Sequence, residues 1–439
     1  MQQALSNPHT RAKWRLVFAR PIAMASATLL LLFVSVALLD SIHFRLAMPF
    51  QDKGEVEFQN EVKSVLAVVF VRILPAAETT YSAPLAQYSF SKETIRLEDG
   101  STIRSYPRLQ HGGAHLIGSR KPRAQDIAER LLLSVFEAVI CSGILLLLLA
   151  ALIKSERQES ISIRAKEILV GTTTVPWRAS LIVVFFIMVL VFVIINLGSV
   201  YHLFGTDKVG ADVLYQAIKS IRTGITIGTV TTLIMLPVAL ALGMSAGYFG
   251  GRTDDIIQYF YTTLSSIPGV LLIASASLML DLYMEQYEEL FRSIAQRQDV
   301  RLLALCFILG ITSWTGLCRL LRAEVLKLKE MDYVQAAHAF GVSQVLILLR
   351  HLLPNIMHIV LITIVLDFSG LVLAEAVLSY IGIGVDPTME SWGNMINRAR
   401  LEMARDPMVW WSLATAFFFM LTLVLSANLF ADAVRDAFD

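Results

Sequence analysis

The sequence is short of charge and of cysteine for a chain of its length. Charged residues make up 17% of the 439 residues and hydrophobic residues 55%, whereas a soluble protein carries about 25% charge. This composition, with its positive mean hydropathy, indicates an integral membrane protein. The formal net charge is only +1, which gives no reason to expect a nucleic acid partner.

Cysteine spacing and missing catalytic motifs exclude several kinds of site. Cys141, Cys306 and Cys318 lie in or at the ends of apolar runs, and their spacing fits neither a metal site nor a disulfide framework. No G-x-x-x-x-G-K-[ST] or H-E-x-x-H sequence occurs, which excludes a P-loop ATPase and a zinc protease of that type. We therefore expect buried thiols, no catalytic residues, and no metal or cofactor bound by this chain.

Apolar runs long enough to cross a bilayer, about 20 residues, occur eight times. They lie at 22–39, 131–153, 181–197, 221–248, 256–280, 302–321, 356–378 and 410–430. Lys and Arg cluster before residue 22, between 154 and 178 and between 319 and 350. Eight crossings place all three clusters and both termini in the cytoplasm. No small-residue cleavage site follows the first run, so we expect it to remain as a span.

Two polar insertions interrupt the apolar runs. In the first, 40–130, "TIRLEDGSTIRSY" predicts a β-hairpin with its turn at Asp99-Gly100, and "KSVLAVVFVRILP" has the β-branched content of a strand. We predict a small extracytoplasmic α/β or β-rich domain there. In the second, 281–301, apolar residues recur at helical spacing, which predicts either an amphipathic helix or an extension of the neighbouring spans.

The sequence "GMSAG" at 243–247 matches the G-x-S-x-G pattern of a serine hydrolase. Such a nucleophile needs a strained strand-to-helix turn, whereas Ser245 lies in a long apolar helical run. Gly243, Gly247 and Gly251 recur every four residues, a spacing that lets helices approach closely in lipid. We interpret the glycines as packing residues and keep an intramembrane hydrolase as an alternative.

Two acidic residues, Asp367 and Glu375, fall within the seventh apolar run. Intramembrane acids are candidate functional residues, because burying a charge in lipid is costly. Eight residues separate them, about 80° around a helix, so they need not share a face. Either acid can line a translocation path and bind a peptide ammonium group, or it can make a structural hydrogen bond to a neighbouring helix.

The half-polar segment 324–355 lies between two apolar runs. Apolar residues with 3–4 spacing predict a first short helix, which ends at a glycine. Ser343 is suited to start a second short helix that ends before a proline. We expect both helices to be exposed to the cytoplasm. The small side chains keep one face low enough for another protein to approach. This docking platform presents the helical face formed by Tyr333, Ala336, Ala337 and Phe340.

Several stretches in this half of the chain resemble one family. "YVQAAHAFG" (333–341) and "LRHLLP" (349–354) resemble the EAA loop of ABC importer permeases. Five further stretches resemble the C-type permeases of dipeptide and oligopeptide importers and occur in the same order. They are "LFGTDKVGADVL" (203–214), "AGYFGGRTDD" (246–255), "EAVLSYIGIGVDP" (375–387), "SWGNMI" (391–396) and "ADAVRDAFD" (431–439). The resemblance covers about 178–439, and six collinear motifs make it specific.

The resemblance implies an all-α polytopic inner-membrane protein of the type I permease fold. Within 178–439 it implies a six-span permease domain with its coupling loop at 324–355, and its pattern assigns ATPase coupling to Tyr333, Gln335, Ala336, Ala337, Phe340, Gly341, Leu353 and Pro354. The six-span pattern lacks the part that comes before. There the apolar runs predict a first span with its cytoplasmic arm (1–39), an extracytoplasmic domain (40–130) and a second span with its linker (131–177). The resemblance further implies a second homologous permease, two cytoplasmic ATPases that bind the ATP and magnesium, and an extracytoplasmic substrate-binding protein. The expected function is peptide import into a bacterial cell.

Departures from the family pattern leave alternatives open. Gln335 stands where the loop usually has an acid, and Gly210-Ala211-Asp212 stands where the outer motif commonly reads G-R-D. The same machine can carry nickel chelates, glutathione or peptide antibiotics, and a permease-derived sensor that reads an outer signal is a further alternative. "HLIGSRKPRAQDIAERLLLS" (115–134) also resembles "HLFGTDKVGADVLYQAIKS" (202–220), which fits either a partial duplication or chance.

Overall fold

Membrane-length helices dominate the chain. The computed structural model describes residues 8–47, 58–74, 76–96, 102–118, 121–153, 160–173, 175–287, 289, 291 and 294–438. Seven helices in these ranges are long and apolar enough to cross a membrane, and a bent helix pair raises the number to as many as eight. The predicted all-α polytopic fold with about eight spans is confirmed.

The elements before residue 200 alternate membrane helices with a small folded insertion. In chain order they are α1 (Pro8–Phe18), α2 (Pro21–Ser41), β1 (His43–Ala47), β2 (Phe58–Ser64), α3 (Val65–Ile73), β3 (Glu93–Arg96), β4 (Thr102–Ser105), a 3₁₀ turn (Ala114–Leu116), α4 (Arg123–Leu152), α5 (Ile161–Val170) and α6 (Trp177–Asn196). Each of α2, α4 and α6 meets the length and hydropathy of a span.

The remaining elements are all helical. They are α7 (Val213–Phe249), α8 (Gly251–Ser266), α9 (Gly269–Gln286), α10 (Ile294–Leu328), α11 (Asp332–Ala339), α12 (Gln344–Ile347), a π turn (Leu348–Leu352), α13 (Leu353–Ile381), α14 (Trp392–Glu402) and α15 (Trp411–Phe438). Because α9 continues to Gln286 and α10 begins at Ile294, most of the second polar insertion extends the neighbouring spans.

Two compact units divide the chain. The first unit comprises Met1–Val17, Gly224–Met389 and Val424–Asp439, and the second comprises Phe18–Thr223 and Glu390–Leu423. Within the first unit, the axes of α8 and α9 differ by 83°, and the predicted span 256–280 contains this bend. Ile267 is extended at ψ 130° because it precedes Pro268, and a residue before proline avoids helical geometry.

The insertion between α2 and α4, here named the inserted domain (residues 42–122), belongs to the second unit. The predicted hairpin is confirmed: β3 pairs antiparallel with β4, with Thr94 opposite Arg104 and Ile95 opposite Ile103. The turn predicted at Asp99-Gly100 lies outside the described residues. A second antiparallel pair, β1 with β2, and α3 make the inserted domain α/β.

The strand predicted from "KSVLAVVFVRILP" is wrong, because the segment forms α3. The Ser64 hydroxyl accepts a hydrogen bond from the Ala67 N–H at 3.1 Å, which caps the first turn of the helix. Leu66, Ala67 and Phe70 are buried, and residues three to four apart lie on one helical face. A side-chain cap and an apolar helical face therefore override the β preference of the valines.

A buried carboxylate fastens the inserted domain to the loop before α7. Glu78 accepts hydrogen bonds from the backbone N–H groups of Gln110 at 2.9 Å and of His111 and Gly112 at 2.8 Å. Burial raises the pKa of Glu78, but these three donors more than offset it and hold the pKa below its ordinary value. The Glu78 N–H also donates to the Gly210 carbonyl at 3.0 Å.

The two H-L-x-G stretches share local geometry. Gly118 and Gly205 both take left-handed conformations, at φ 80° and 72°. A His115 ring nitrogen lies 2.8 Å from an Asp126 carboxylate oxygen, and a His202 ring nitrogen lies 2.8 Å from one of Asp212. Each histidine thus pairs with an aspartate at the start of a membrane helix, which extends the sequence similarity to the structure.

Candidate functional site

The predicted loop contains a short helix that ends in a defined motif. After α11, Gly341 takes a left-handed conformation at φ 75°. Its N–H donates to the His338 carbonyl at 3.0 Å, and the Val342 N–H donates to the Ala337 carbonyl at 3.1 Å. These two bonds form a Schellman motif, which favours glycine at this position. The helix end predicted at Gly341 is confirmed.

The second predicted helix does not end before Pro354. It begins after Ser343 as predicted, but it passes through the π turn Leu348–Leu352 directly into α13. A proline in the first turn of a helix has no N–H to satisfy, and a π turn shifts the bonding pattern by one residue just before it. The prediction of a separate short helix is therefore wrong, and one helical rod spans Gln344–Ile381.

The inner face of α11 packs on the apolar core of the first unit. Val334 and Ala337 belong to a cluster with buried residues of α7, α8, α10 and α13, and their exposed fractions are 3% and 8%. Three residues apart, they lie on one side of the helix. Ala337 therefore faces the core, contrary to its predicted place on the exposed platform, because the small side chain lets α11 lie close to that core.

The side of the loop that faces away from the apolar core is apolar and exposed. Phe340 is 87% exposed, and Tyr333, Gln335 and Ala336 are also exposed. Beyond Gly341 the same character continues in residues that the sequence reasoning did not single out, although their helical spacing was visible. The exposed apolar face comprises Met331, Tyr333, Phe340, Val345, Leu346 and Leu349.

Polar side chains brace this loop at two points. The Asn355 amide donates to the Tyr333 hydroxyl at 2.8 Å and to the His351 carbonyl at 2.8 Å, which ties α11 to the start of α13. The Gln335 amide donates to a Glu330 carboxylate oxygen at 3.4 Å. An acidic group therefore lies beside Gln335, one turn away from the position where the family usually carries it.

Close packing of α7 on α10 supports the core below the loop. A Cβ atom added at Gly243 would lie 2.9 Å from the Cys318 carbonyl oxygen, and one added at Gly247 would lie 2.8 Å from the Arg322 carbonyl oxygen. Real Cβ atoms do not approach so closely, so both positions require glycine. The packing interpretation is confirmed for these two glycines. Ser245 lies within continuous helix, without the turn that a nucleophile needs.

An ion pair joins α8 to α10 at the same level. The Arg322 guanidinium donates to both Asp254 carboxylate oxygens, at 2.5 Å and 2.6 Å, and the Gln258 amide donates to Asp254 at 3.1 Å. Bidentate pairing of this kind fixes orientation as well as distance. The "AGYFGGRTDD" stretch thus contributes Gly247 to one helix contact and Asp254 to the next.

The two intramembrane acids of α13 have different surroundings. Glu375 is buried and accepts a hydrogen bond from the Ser379 hydroxyl at 2.7 Å, which favours the structural interpretation for this residue. Asp367 is half-buried, and the described part of the chain provides it with no hydrogen bond or ion pair. Only Asp367 therefore retains the features of a pathway residue.

Comparison with known proteins gives the family of the chain. Residues 239–439 match the model of the binding-protein-dependent transport system inner membrane component. The oligopeptide permease OppC of Haemophilus influenzae is 32% identical over 54% of this chain and 70% of its own length. The dipeptide permease DppC of Lactococcus lactis is 29% identical over 54% of this chain and 63% of its own length. The peptidoglycan permease YejE of Agrobacterium fabrum is 33% identical over 56% of this chain and 58% of its own length. The chain belongs to this permease family.

Family membership gives the permease its place and its general role. It is a multi-pass protein of the inner membrane and a transport subunit of an ABC importer. Importers of this type work with ATPase and substrate-binding components. The matched residues contain the whole 324–355 loop and both intramembrane acids of the permease.

The two neighbouring alanines of the permease loop provide a test of its packing. Ala337→Glu is expected to reduce the yield of folded protein severely, because it buries an unpaired charge in the core. Ala336→Glu is the matched control, since the same charge there points to solvent. Fluorescence-detected size-exclusion chromatography measures both. Equal monodisperse yields of the two variants would show that Ala337 is not in the core.

Proposed function

We propose that the permease forms half of the translocation pathway of a peptide importer in the bacterial inner membrane. It works with a second homologous permease, two cytoplasmic ATPases and an extracytoplasmic substrate-binding protein, and ATP is bound and hydrolysed in the ATPases. The names of the oligopeptide and dipeptide relatives support the peptide cargo. The observation that carries the coupling role is the exposed apolar face, which lies on a segment that resembles the EAA loop.

The exposed apolar face is suited to docking through shape and apolar contact. Phe340 projects from the helix end at Gly341, and Val345 and Leu349 continue the surface along the next helix. Burying such side chains yields about 1.5–3 kcal/mol each. Because Gln335 replaces the usual acid, the contact with the ATPase depends less on an ion pair and more on this surface.

The arrangement of the chain ends supports a cytoplasmic location for both termini. The Lys13 ammonium donates to the Phe438 carbonyl at 2.6 Å, and the rings of Trp14 and Phe438 lie 5.7 Å apart. The N-terminal helix and the end of α15 therefore share one side of the membrane, as an even number of spans requires. This favours counting the bent pair of α8 and α9 as one crossing, and the Lys- and Arg-rich connectors then face the cytoplasm.

One helical rod joins the docking surface to the candidate pathway residue. Val345 and Asp367 both belong to the continuous helix Gln344–Ile381. Their separation of 22 positions corresponds to about 33 Å at 1.5 Å per residue. Displacement of the exposed apolar face by an ATPase is therefore transmitted along the helix to the level of Asp367, where the carboxylate meets the ammonium group of a passing peptide.

Replacing the exposed apolar residues tests the docking surface. The Phe340→Ser and Val345→Ser double variant is expected to weaken ATPase binding at least about tenfold, because tenfold corresponds to only 1.4 kcal/mol. Co-purification of the ATPase subunits with tagged permease measures the loss. Lys327→Ser is the matched control, since its exposed side chain lies near the end of α10, outside the exposed apolar face. If the double variant recovers as much ATPase as the wild type, the exposed apolar face is not the ATPase docking surface.

Growth on peptides tests the cargo. A strain that lacks this permease and requires one amino acid is expected to grow on the free amino acid but not on a peptide that contains it. A plasmid copy of the permease restores growth on the peptide. Equal growth of the deletion strain and its parent on di-, tri- and pentapeptides contradicts peptide import and turns attention to nickel chelates, glutathione or peptide antibiotics.

Replacement of Asp367 tests the pathway. Asp367→Asn is expected to lower uptake of labelled peptide at least about tenfold, since a charge-assisted hydrogen bond contributes roughly 1.5–3 kcal/mol. Asp367→Glu keeps the charge and is expected to retain most of the uptake. Both variants should reach the membrane at the wild-type level. Undiminished uptake by Asp367→Asn removes this residue from the pathway.

A further inference from the structure

A polar cleft lies in the second unit, between the β3–β4 hairpin and the segment that precedes α15. Its volume is about 450 Å³, and its polar lining includes Lys92, Arg104, Tyr106, Arg405 and Asp406. The coupling and pathway roles use none of these residues. The side chains come from two distant parts of the sequence, and the fold of the second unit brings them together.

The cleft carries one net positive charge. Arg405 is neutralised by Glu402, with 2.9 Å between a guanidinium nitrogen and a carboxylate oxygen. Lys92 lies over the Tyr106 ring at 5.5 Å, and Arg104 has no ion pair among the residues that the structure describes. Set against the single carboxylate of Asp406, these two cations leave an excess of one. A monoanionic ligand therefore balances the charge of the cleft.

Aromatic residues place the cleft at the edge of the membrane. Phe90 lines it, and the Phe90 ring lies 4.8 Å from the ring of Trp411, the first residue of the span α15. The neighbouring Trp410 is 51% exposed, and exposed tryptophans at span ends mark the membrane–water interface. The cations of the cleft therefore lie where phospholipid headgroups lie.

We propose that this cleft binds the phosphodiester headgroup of an anionic phospholipid such as phosphatidylglycerol. Lys92 and Arg104 donate to the phosphate oxygens, a charge-assisted contact that both side chains commonly make with phosphate. The Asp406 carboxylate accepts hydrogen bonds from the hydroxyl groups of the headgroup. The bound lipid then fastens the β3–β4 hairpin of the inserted domain to the segment before the start of α15.

Native mass spectrometry of the full-length permease tests the site. Delipidated wild-type protein in detergent is titrated with phosphatidylglycerol and compared with the Lys92→Gln and Arg104→Gln double variant. At the same lipid concentration, the double variant is expected to carry one bound lipid fewer than the wild type. The reason is that its affinity for the lipid at this site falls at least about tenfold, the equivalent of 1.4 kcal/mol. Arg108→Gln is the matched control, because its guanidinium lies over Tyr88 and outside the cleft.

Three outcomes overturn the proposal. The first is equal retention of phosphatidylglycerol by the wild type and the double variant, and the second is equal retention of phosphatidylcholine by the wild type. The third is full competition by free glycerol phosphate at the same concentration, which identifies a soluble phosphate ester as the ligand. Lys92→Arg with Arg104→Lys keeps both charges and is expected to restore binding, which separates loss of the site from misfolding.

Discussion

The close approach of α7 to α10 is the constraint on which the first unit depends. Lipid offers helices no hydrophobic reward for associating, so shape and buried polar pairs decide which surfaces meet. Gly243 and Gly247 bring the backbones together, and Arg322 at the same level reaches across to Asp254 on α8. The apolar core formed by these helices is the surface on which α11 packs. The loop is therefore packed against the membrane helices along α11, and is not held only by its two ends.

Features set by local chemistry could be predicted from the sequence. Span lengths follow from hydropathy because the bilayer imposes one thickness. The helix end at Gly341 follows from the low cost of a left-handed glycine, and the β3–β4 pairing follows from alternation around a turn signal. In each case, one contiguous stretch of the sequence carries the signal that determines the structure.

Features set by tertiary contact could not be predicted. Pro354 signals a helix end, but the π turn before it lets the helix continue. The valines of α3 favour a strand, but the Ser64 cap and burial of one face favour a helix. Ala337 and Ala336 are identical in type, and only the position of the core below α11 decides which one is buried. The first case depends on the backbone turn beside the proline. In the other two, burial against partners elsewhere in the chain outweighs a weak local preference.

Pro354 illustrates what such an override achieves. A helix that ended there would separate the exposed apolar face from the membrane helix, and motion at the loop would be lost in a flexible joint. Because the helix continues through the π turn and the proline, Val345 and Asp367 stay on one rod. A helix resists bending except where its hydrogen bonds are rearranged. The π turn is therefore both the point that allows continuity and the point at which the rod can flex, and through Leu349 it is part of the surface that we propose an ATPase moves.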